Sequence, residues 1–258
     1  MSGLTLSSSG ATARVVFDRP EALNALTPDA LRQLVRACEA LGRDEGIKVV
    51  RFEGAGGCFS AGADLPAFLS ELGGTDPHTV ADLGRLATDA VAGLPQISIA
   101  AIQGHCVGAG VVLAAACDLR LAADDARFLI PELDAGIPLG WGGMAYLVRL
   151  VGATLAADVV LTCRPFGAEE ALRAGFVSRV VPVGELQTAL DELEASIGAK
   201  SANVLRATKQ QLRDIRNESF DARKDAAALL AALRDPESAR QGIEYISRRI
   251  RKDQGASR

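Results

Sequence analysis

Two stretches of small residues have the spacing that chemistry needs. Gly54-Ala55-Gly56-Gly57-Cys58-Phe59-Ser60-Ala61-Gly62-Ala63-Asp64 follows one apolar run, and Gly108-Ala109-Gly110 follows another and opens a helix. Glycine and alanine leave the backbone open to close approach. The first N–H groups of a helix lack partners within it and sit at the positive end of its dipole. Each loop could present a peptide N–H to an oxygen gaining negative charge, and two such donors suit an enolate or a tetrahedral oxyanion. Read alone, either loop is equally a tight turn with close packing and no ligand.

The acids are few and placed unevenly. Glu132 stands at the end of an apolar strand in Ile130-Pro131-Glu132-Leu133-Asp134-Ala135-Gly136. By itself it reads as a solvated glutamate, with Asp134 a substitute acid two residues on. His105 sits on the turn before Gly108, where a packed or hydrogen-bonded imidazole is the simpler reading than proton transfer. Asp64 and Asp118 read as loop and helix anchors. His78 and His105 are the two histidines and lie far apart, so a histidine-based metal site is not expected. The chain contains no GxGxxG, no GxxxxGK[ST] and no GxSxG, which argues against a Rossmann site, a P-loop and a hydrolase elbow.

The elements that must position these residues alternate strand and helix. Ala13 to Asp18 reads as a first strand, and Thr27-Pro28-Asp29 as a helix start with Leu31, Leu34, Val35, Cys38 and Leu41 on one face. Ile47 to Phe52 and Ile97 to Ile102 read as buried strands, each leading to a glycine loop. Leu65 to Pro95 forms two helical pieces broken at Gly73-Gly74-Thr75-Asp76-Pro77, a flap or a plain surface connection. Ala126 to Ile130 is a short strand. Helices follow at about 144–151, 154–162, 168–174 and 183–198. Residues 202–252 are helical and charge-rich, with a basic end at Arg248-Arg249-Ile250-Arg251-Lys252.

Asp18-Arg19-Pro20-Glu21-Ala22-Leu23-Asn24-Ala25-Leu26, then Phe59-Ser60-Ala61-Gly62-Ala63-Asp64-Leu65, then the 103–122 segment and Arg127 to Gly143 together resemble the crotonase superfamily of enoyl-CoA hydratases and isomerases. The likeness reaches at least Val181-Pro182. It implies an α/β ββα spiral core (1–198) with a helical C-terminal extension (199–258) used for trimerisation. It implies that the backbone N–H groups of Ala63 and Ala109 are the oxyanion donors, and that Glu132 is the catalytic acid/base. Hydratases of this family use two glutamates, and the other falls on Val112, which cannot ionise. One carboxylate can still move a proton from C2 to C4, as in relatives resembling Δ3,Δ2-enoyl-CoA isomerases. The resemblance further places substrate at Ala22, Leu23, Ala61, Gly62, Asp64 and Gly108, with Phe68, Val112 and Trp141 toward the acyl chain. Lysines often found in relatives are replaced by Glu21 and Gly57, leaving Arg19 or a C-terminal arginine to meet the CoA phosphates.

The leading expectation is a fatty enoyl-CoA isomerase. The alternatives are an enoyl-CoA hydratase of fatty-acid β-oxidation, a non-catalytic acyl-CoA-binding protein, or another thioester reaction such as decarboxylation or hydrolysis. CoA belongs to the substrate, so no separate cofactor is expected. The expected assembly is a homotrimer or hexamer. A net charge of −4 implies no basic surface for nucleic acid. Uninterrupted apolar runs fall short of 18 residues and the N-terminus has no signal-peptide pattern, so no membrane partner is expected. Five cysteines without a CxxC pair read as buried thiols in a reducing cytoplasm.

Overall fold

The structure is a computed structural model that describes residues 3–74 and 76–255, with side chains to Ser247. The chain divides into two compact units, Met1–Leu193 and Glu194–Arg258.

In the first unit, β1 (Leu4–Ser9) and β2 (Thr12–Phe17) pair antiparallel. Helix α1 (Pro28–Arg43) starts as its sequence demands. Thr27 accepts from the Ala30 N–H, Pro28 takes the first helical position, and Leu31, Leu34, Cys38 and Leu41 are buried. Strand β3 (Val49–Gly54) follows, and α2 (Leu65–Leu72) and α3 (Pro77–Gly93) lead to β4 (Ile97–Ile102). The chain continues through β5 (His105–Val107), α4 (Ala109–Ala116), β6 (Leu119–Ala123) and β7 (Arg127–Leu129). Then come α5 (Gly143–Leu161), β8 (Phe166–Gly167), α6 (Ala168–Arg173), β9 (Arg179–Val181) and α7 (Leu186–Gly198), whose residues from Glu194 on belong to the second unit.

The main sheet has the order β1-β2-β3-β4-β6-β9 and is parallel from β2 onward. A parallel sheet is covered on both faces, and all six residues of β4 are buried. β5, β7 and β8 form a separate three-stranded sheet. The first glycine loop leaves the carboxyl end of β3, where open α/β sheets place their ligands; the second leaves β5, which the Gln103-Gly104 turn joins to the carboxyl end of β4.

Helix α4 is buried along its whole length, which explains why its sequence carries no polar face. Strand β1 departs from the sequence reading, as do the very short β5, β8 and β9. Helix α5 is long and apolar enough by length and composition to cross a membrane, with a mean hydropathy of 1.7, and Arg149 and Asp158 interrupt its apolar run. Its backbone leaves helical geometry at Gly152 (φ 78°, ψ 161°), dividing it into the two helices read from the sequence.

The second unit is helical, with α8 (Ala202–Arg216), α9 (Asp225–Arg234) and α10 (Pro236–Gly255). Ser201 ties its start together. The Ser201 N–H donates to Gln241 at 2.9 Å, and its hydroxyl meets Asp235 at 3.1 Å and Ser238 at 2.6 Å. The side chains of the basic end, Arg248 to Lys252, lie outside the described residues.

Candidate active site

Three backbone hydrogen bonds zip the two glycine loops together. The Phe59 N–H donates to the Gln103 carbonyl (2.9 Å), the Ser60 N–H to His105 (3.0 Å), and the Val107 N–H to Ser60 (2.9 Å). Buried Ser60 is the hub. Its hydroxyl donates to the Asn24 carbonyl at 2.9 Å and accepts from the Gly62 N–H at 3.1 Å. Gly62 has φ of +95°, and a Cβ there would lie 2.9 Å from the Val107 carbonyl oxygen and 3.6 Å from the Ala109 nitrogen. Only glycine fits so close an approach in that conformation.

This packing brings Ala63 and Ala109 together on the wall of one cavity of about 370 Å³. Ala109 is the first residue of α4, so its N–H has no partner inside the helix. Among the described residues, neither the Ala63 nor the Ala109 N–H donates to a hydrogen bond.

Glu132 lines the same cavity and is its one ionisable lining group among the described residues. Its carboxylate lies over Gly108, where an added Cβ would stand 2.6 Å from Oε1. Gly108 has φ of 49° and ψ of −113°, which suits glycine and leaves room for the acid. Oε2 is buried and has no hydrogen-bond partner among the described residues. Burial disfavours the ion, and the carboxyl is pushed above the ordinary glutamate range. A partly desolvated carboxylate that shares a cavity with two free N–H donors can take and return a proton beside a carbonyl.

Of the residues singled out from the sequence, Ala63, Phe68, Ala109, Val112, Glu132 and Trp141 line this cavity. Gly62 and Gly108 shape it from behind. The others lie beside it. Ala22 and Leu23 form a bend in which Leu23 is left-handed, and the Leu23 carbonyl accepts from the Ala61 N–H at 2.8 Å. Asp64 caps α2 by accepting from the Ala67 N–H, and it pairs with Arg19 at 3.0 Å. Arg19 also donates to the Ala25 carbonyl, so it is engaged within the protein rather than held out toward phosphates. His105 and Asp134 are exposed and outside the cavity lining. Asp118 accepts from both the N–H and the hydroxyl of Ser98, an anchor as expected.

Asn24 is the residue that sequence reasoning missed. It is buried and left-handed (φ 57°), and its amide donates to the carbonyls of Ala55 and Cys58 at 2.8 and 2.7 Å. Its side-chain oxygen accepts from the Arg19 N–H. Asparagine tolerates that backbone conformation and caps nearby peptide groups, which is the one signal that could have marked it.

A family model described as enoyl-CoA hydratase/isomerase matches residues 7–250. A probable enoyl-CoA hydratase (echA8) of Mycobacterium bovis is 35% identical over 210 residues, covering 80% of this chain and 78% of the relative. The crystal structure of an enoyl-CoA hydratase from Bacillus anthracis superposes with a TM-score of 0.86 at 26% identity, covering 96% of this chain and 97% of that one. A Thermobifida fusca protein solved in complex with CoA superposes with a TM-score of 0.82 at 33% identity, covering 90% and 93%. Two zipped glycine loops, a carboxylate over the second, and a match that runs nearly the whole chain agree: this protein belongs to the enoyl-CoA hydratase/isomerase family, in the crotonase superfamily.

Proposed function

We propose that the protein binds an enoyl-CoA thioester and shifts its double bond from the 3 to the 2 position through one glutamate. The observation that carries this is the lining itself: among the described residues Glu132 is the cavity's single ionisable group, and Val112 stands where a second carboxylate would be needed to hold water. The thioester oxygen is received by the Ala63 and Ala109 N–H groups. Glu132 removes a proton from C2, the negative charge spreads onto the thioester oxygen, and the same carboxyl returns the proton to C4. Each donor of this kind is typically worth about 10²–10³ in rate. The CoA-bound T. fusca neighbour supports the thioester assignment.

Hydration is the second reading, favoured by the names of relatives such as the M. bovis hydratase. It requires Glu132 alone to activate the water and deliver the proton. A paired assay separates the two. One arm supplies a trans-3-enoyl-CoA and follows the conjugated product; the other supplies a trans-2-enoyl-CoA and follows its loss. Turnover in the first arm alone, lost by about 10²–10⁴ in Glu132→Gln, is expected. Efficient turnover in the second arm assigns a hydratase, and binding with silence in both arms assigns a non-catalytic acyl-CoA-binding protein.

The reading extends to assembly and setting. A homotrimer or hexamer is supported by the exposed apolar side chains Leu229, Leu230 and Leu233 of α9 and Ile243, Tyr245 and Ile246 of α10. Light scattering on the purified protein tests it, and a monomer at micromolar concentration refutes it. Five free, buried cysteines support a reducing, cytoplasmic setting.

A further inference from the structure

Trp141 is the largest group in the cavity lining, and it is held there by a notch on α3. Its ring rests against Gly84, where an added Cβ would stand 1.8 Å from Cε2. Any side chain at position 84 excludes the indole from its present place. On the other side lies Phe68 of α2, with ring centroids 6.2 Å apart. The indole therefore fills the gap between α2 and α3. Its backbone is left-handed, with φ of 59°, a conformation unfavourable for a bulky residue. The Trp141 carbonyl accepts from the buried Thr88 hydroxyl at 3.1 Å, which fixes the segment to α3. Strain of this kind persists where the surrounding structure over-determines it, commonly at ligand sites.

We infer that Trp141, seated in the Gly84 notch, is the residue that sets the length of acyl chain the cavity accepts. The inference rests on the acyl-CoA reading above. A chain entering from the Ala63–Ala109–Glu132 end runs along the α2 face that carries Leu65, Phe68 and Leu72, and meets the indole between the helices. The lining that Trp141 shares is largely hydrocarbon, Leu69, Leu72 and Ala81 among it. The matching ligand is an unsubstituted aliphatic chain of limited length.

Trp141 is also the chain's single tryptophan, so its emission reports directly on this spot. The experiment titrates the full-length protein with CoA and with saturated acyl-CoAs of increasing length, which need no turnover. Emission and dissociation constant are both recorded. Affinity is expected to rise about fourfold per methylene and to stop rising at the length where emission shifts. CoA alone leaves emission unchanged. Trp141→Ala moves the plateau of affinity to longer chains. Gly84→Ala, which pushes the indole into the cavity, moves it to shorter ones, and the double variant follows Trp141→Ala. Acyl-CoAs whose affinity climbs through every length with no change in Trp141 emission overturn the inference and leave the acyl-CoA reading standing. Failure of every CoA thioester to bind overturns that reading and this inference with it. Trp141→Phe, which keeps an aromatic ring, covers the case in which Trp141→Ala does not fold; an unchanged plateau in that variant and in Gly84→Ala also overturns the inference.

Discussion

Gly108→Ala tests whether the placement of Glu132 is what makes the site work. An alanine Cβ would lie 2.6 Å from Glu132 Oε1, whereas ordinary contact begins at 3.4 Å, so the carboxylate must retreat by about 0.8 Å. A misplacement near 1 Å can cost about 10²-fold in rate, so kcat should fall by roughly 30- to 100-fold. The peptide N–H of Ala109 remains in the chain, so KM should change by no more than about threefold. The backbone adds a separate effect. Gly108 has φ of 49°, and a non-glycine residue held there costs about 1–2 kcal/mol. For a chain of this size that lowers Tm by roughly 2–8 °C. Steady-state kinetics on a trans-3-enoyl-CoA measures the first effect and thermal unfolding by circular dichroism the second. A folded variant whose kcat stays within twofold of the native value would refute the idea that the Gly108 contact positions the proton-transferring group.

Three further outcomes are expected. Glu132 must be ionised to accept a proton and burial raises its pKa, so the acid limb of kcat/KM should have its midpoint above the ordinary glutamate value of about 4.3. Because the folded state then holds that proton more tightly than the unfolded chain, stability falls as pH rises from the unfolded value through the folded one. Glu132→Gln escapes this loss and should melt higher than the native protein at neutral pH but not below pH ~4, as paired unfolding curves would reveal. Val112→Glu supplies the second carboxylate and should raise hydration relative to isomerisation by at least tenfold, at a stability cost of about 1–3 kcal/mol for placing an acid where Val112 is buried; an unchanged ratio in the paired assay counts against the water-holding argument. Asn24→Ala removes the amide that donates to Ala55 and Cys58 and should lower stability by about 2–4 kcal/mol, measured by urea unfolding.

What was legible in the sequence was whatever depends on neighbours in the chain. Thr27-Pro28 announced α1, the Ile97–Ile102 run, apolar but for Ser98, announced a strand buried on both faces, and the glycine loops announced backbone donors. The resemblance added Glu132 and the departure at Val112. Strand β1 was hidden because Leu4–Ser9 is half serine, and its residues after Leu4 are exposed at a sheet edge. Strands β5, β8 and β9, of three residues or fewer, are too short for any periodicity to register. The supports of the site were hidden for another reason: they join distant segments. Asn24 reaches Ala55 and Cys58, Arg19 reaches Asp64, and Gly84 meets Trp141. A glycine in the middle of a helix gives no hint that an indole will lie across it.

The zipper between the two glycine loops also has a kinetic meaning. Ala63 and Ala109 lie 46 positions apart, and the bonds that align them join residues 44 to 47 positions apart. The β1–β2 hairpin closes over a handful of residues, whereas the loop bonds join segments about as far apart in the chain as the parallel β3–β4 pairing beside them. Loop-closure entropy makes such long-range pairings slow to form. Substitutions at Ser60 or Gly62 should therefore speed unfolding while leaving the folding rate nearly unchanged. The two amides that face the substrate would come into line among the last events as the chain folds.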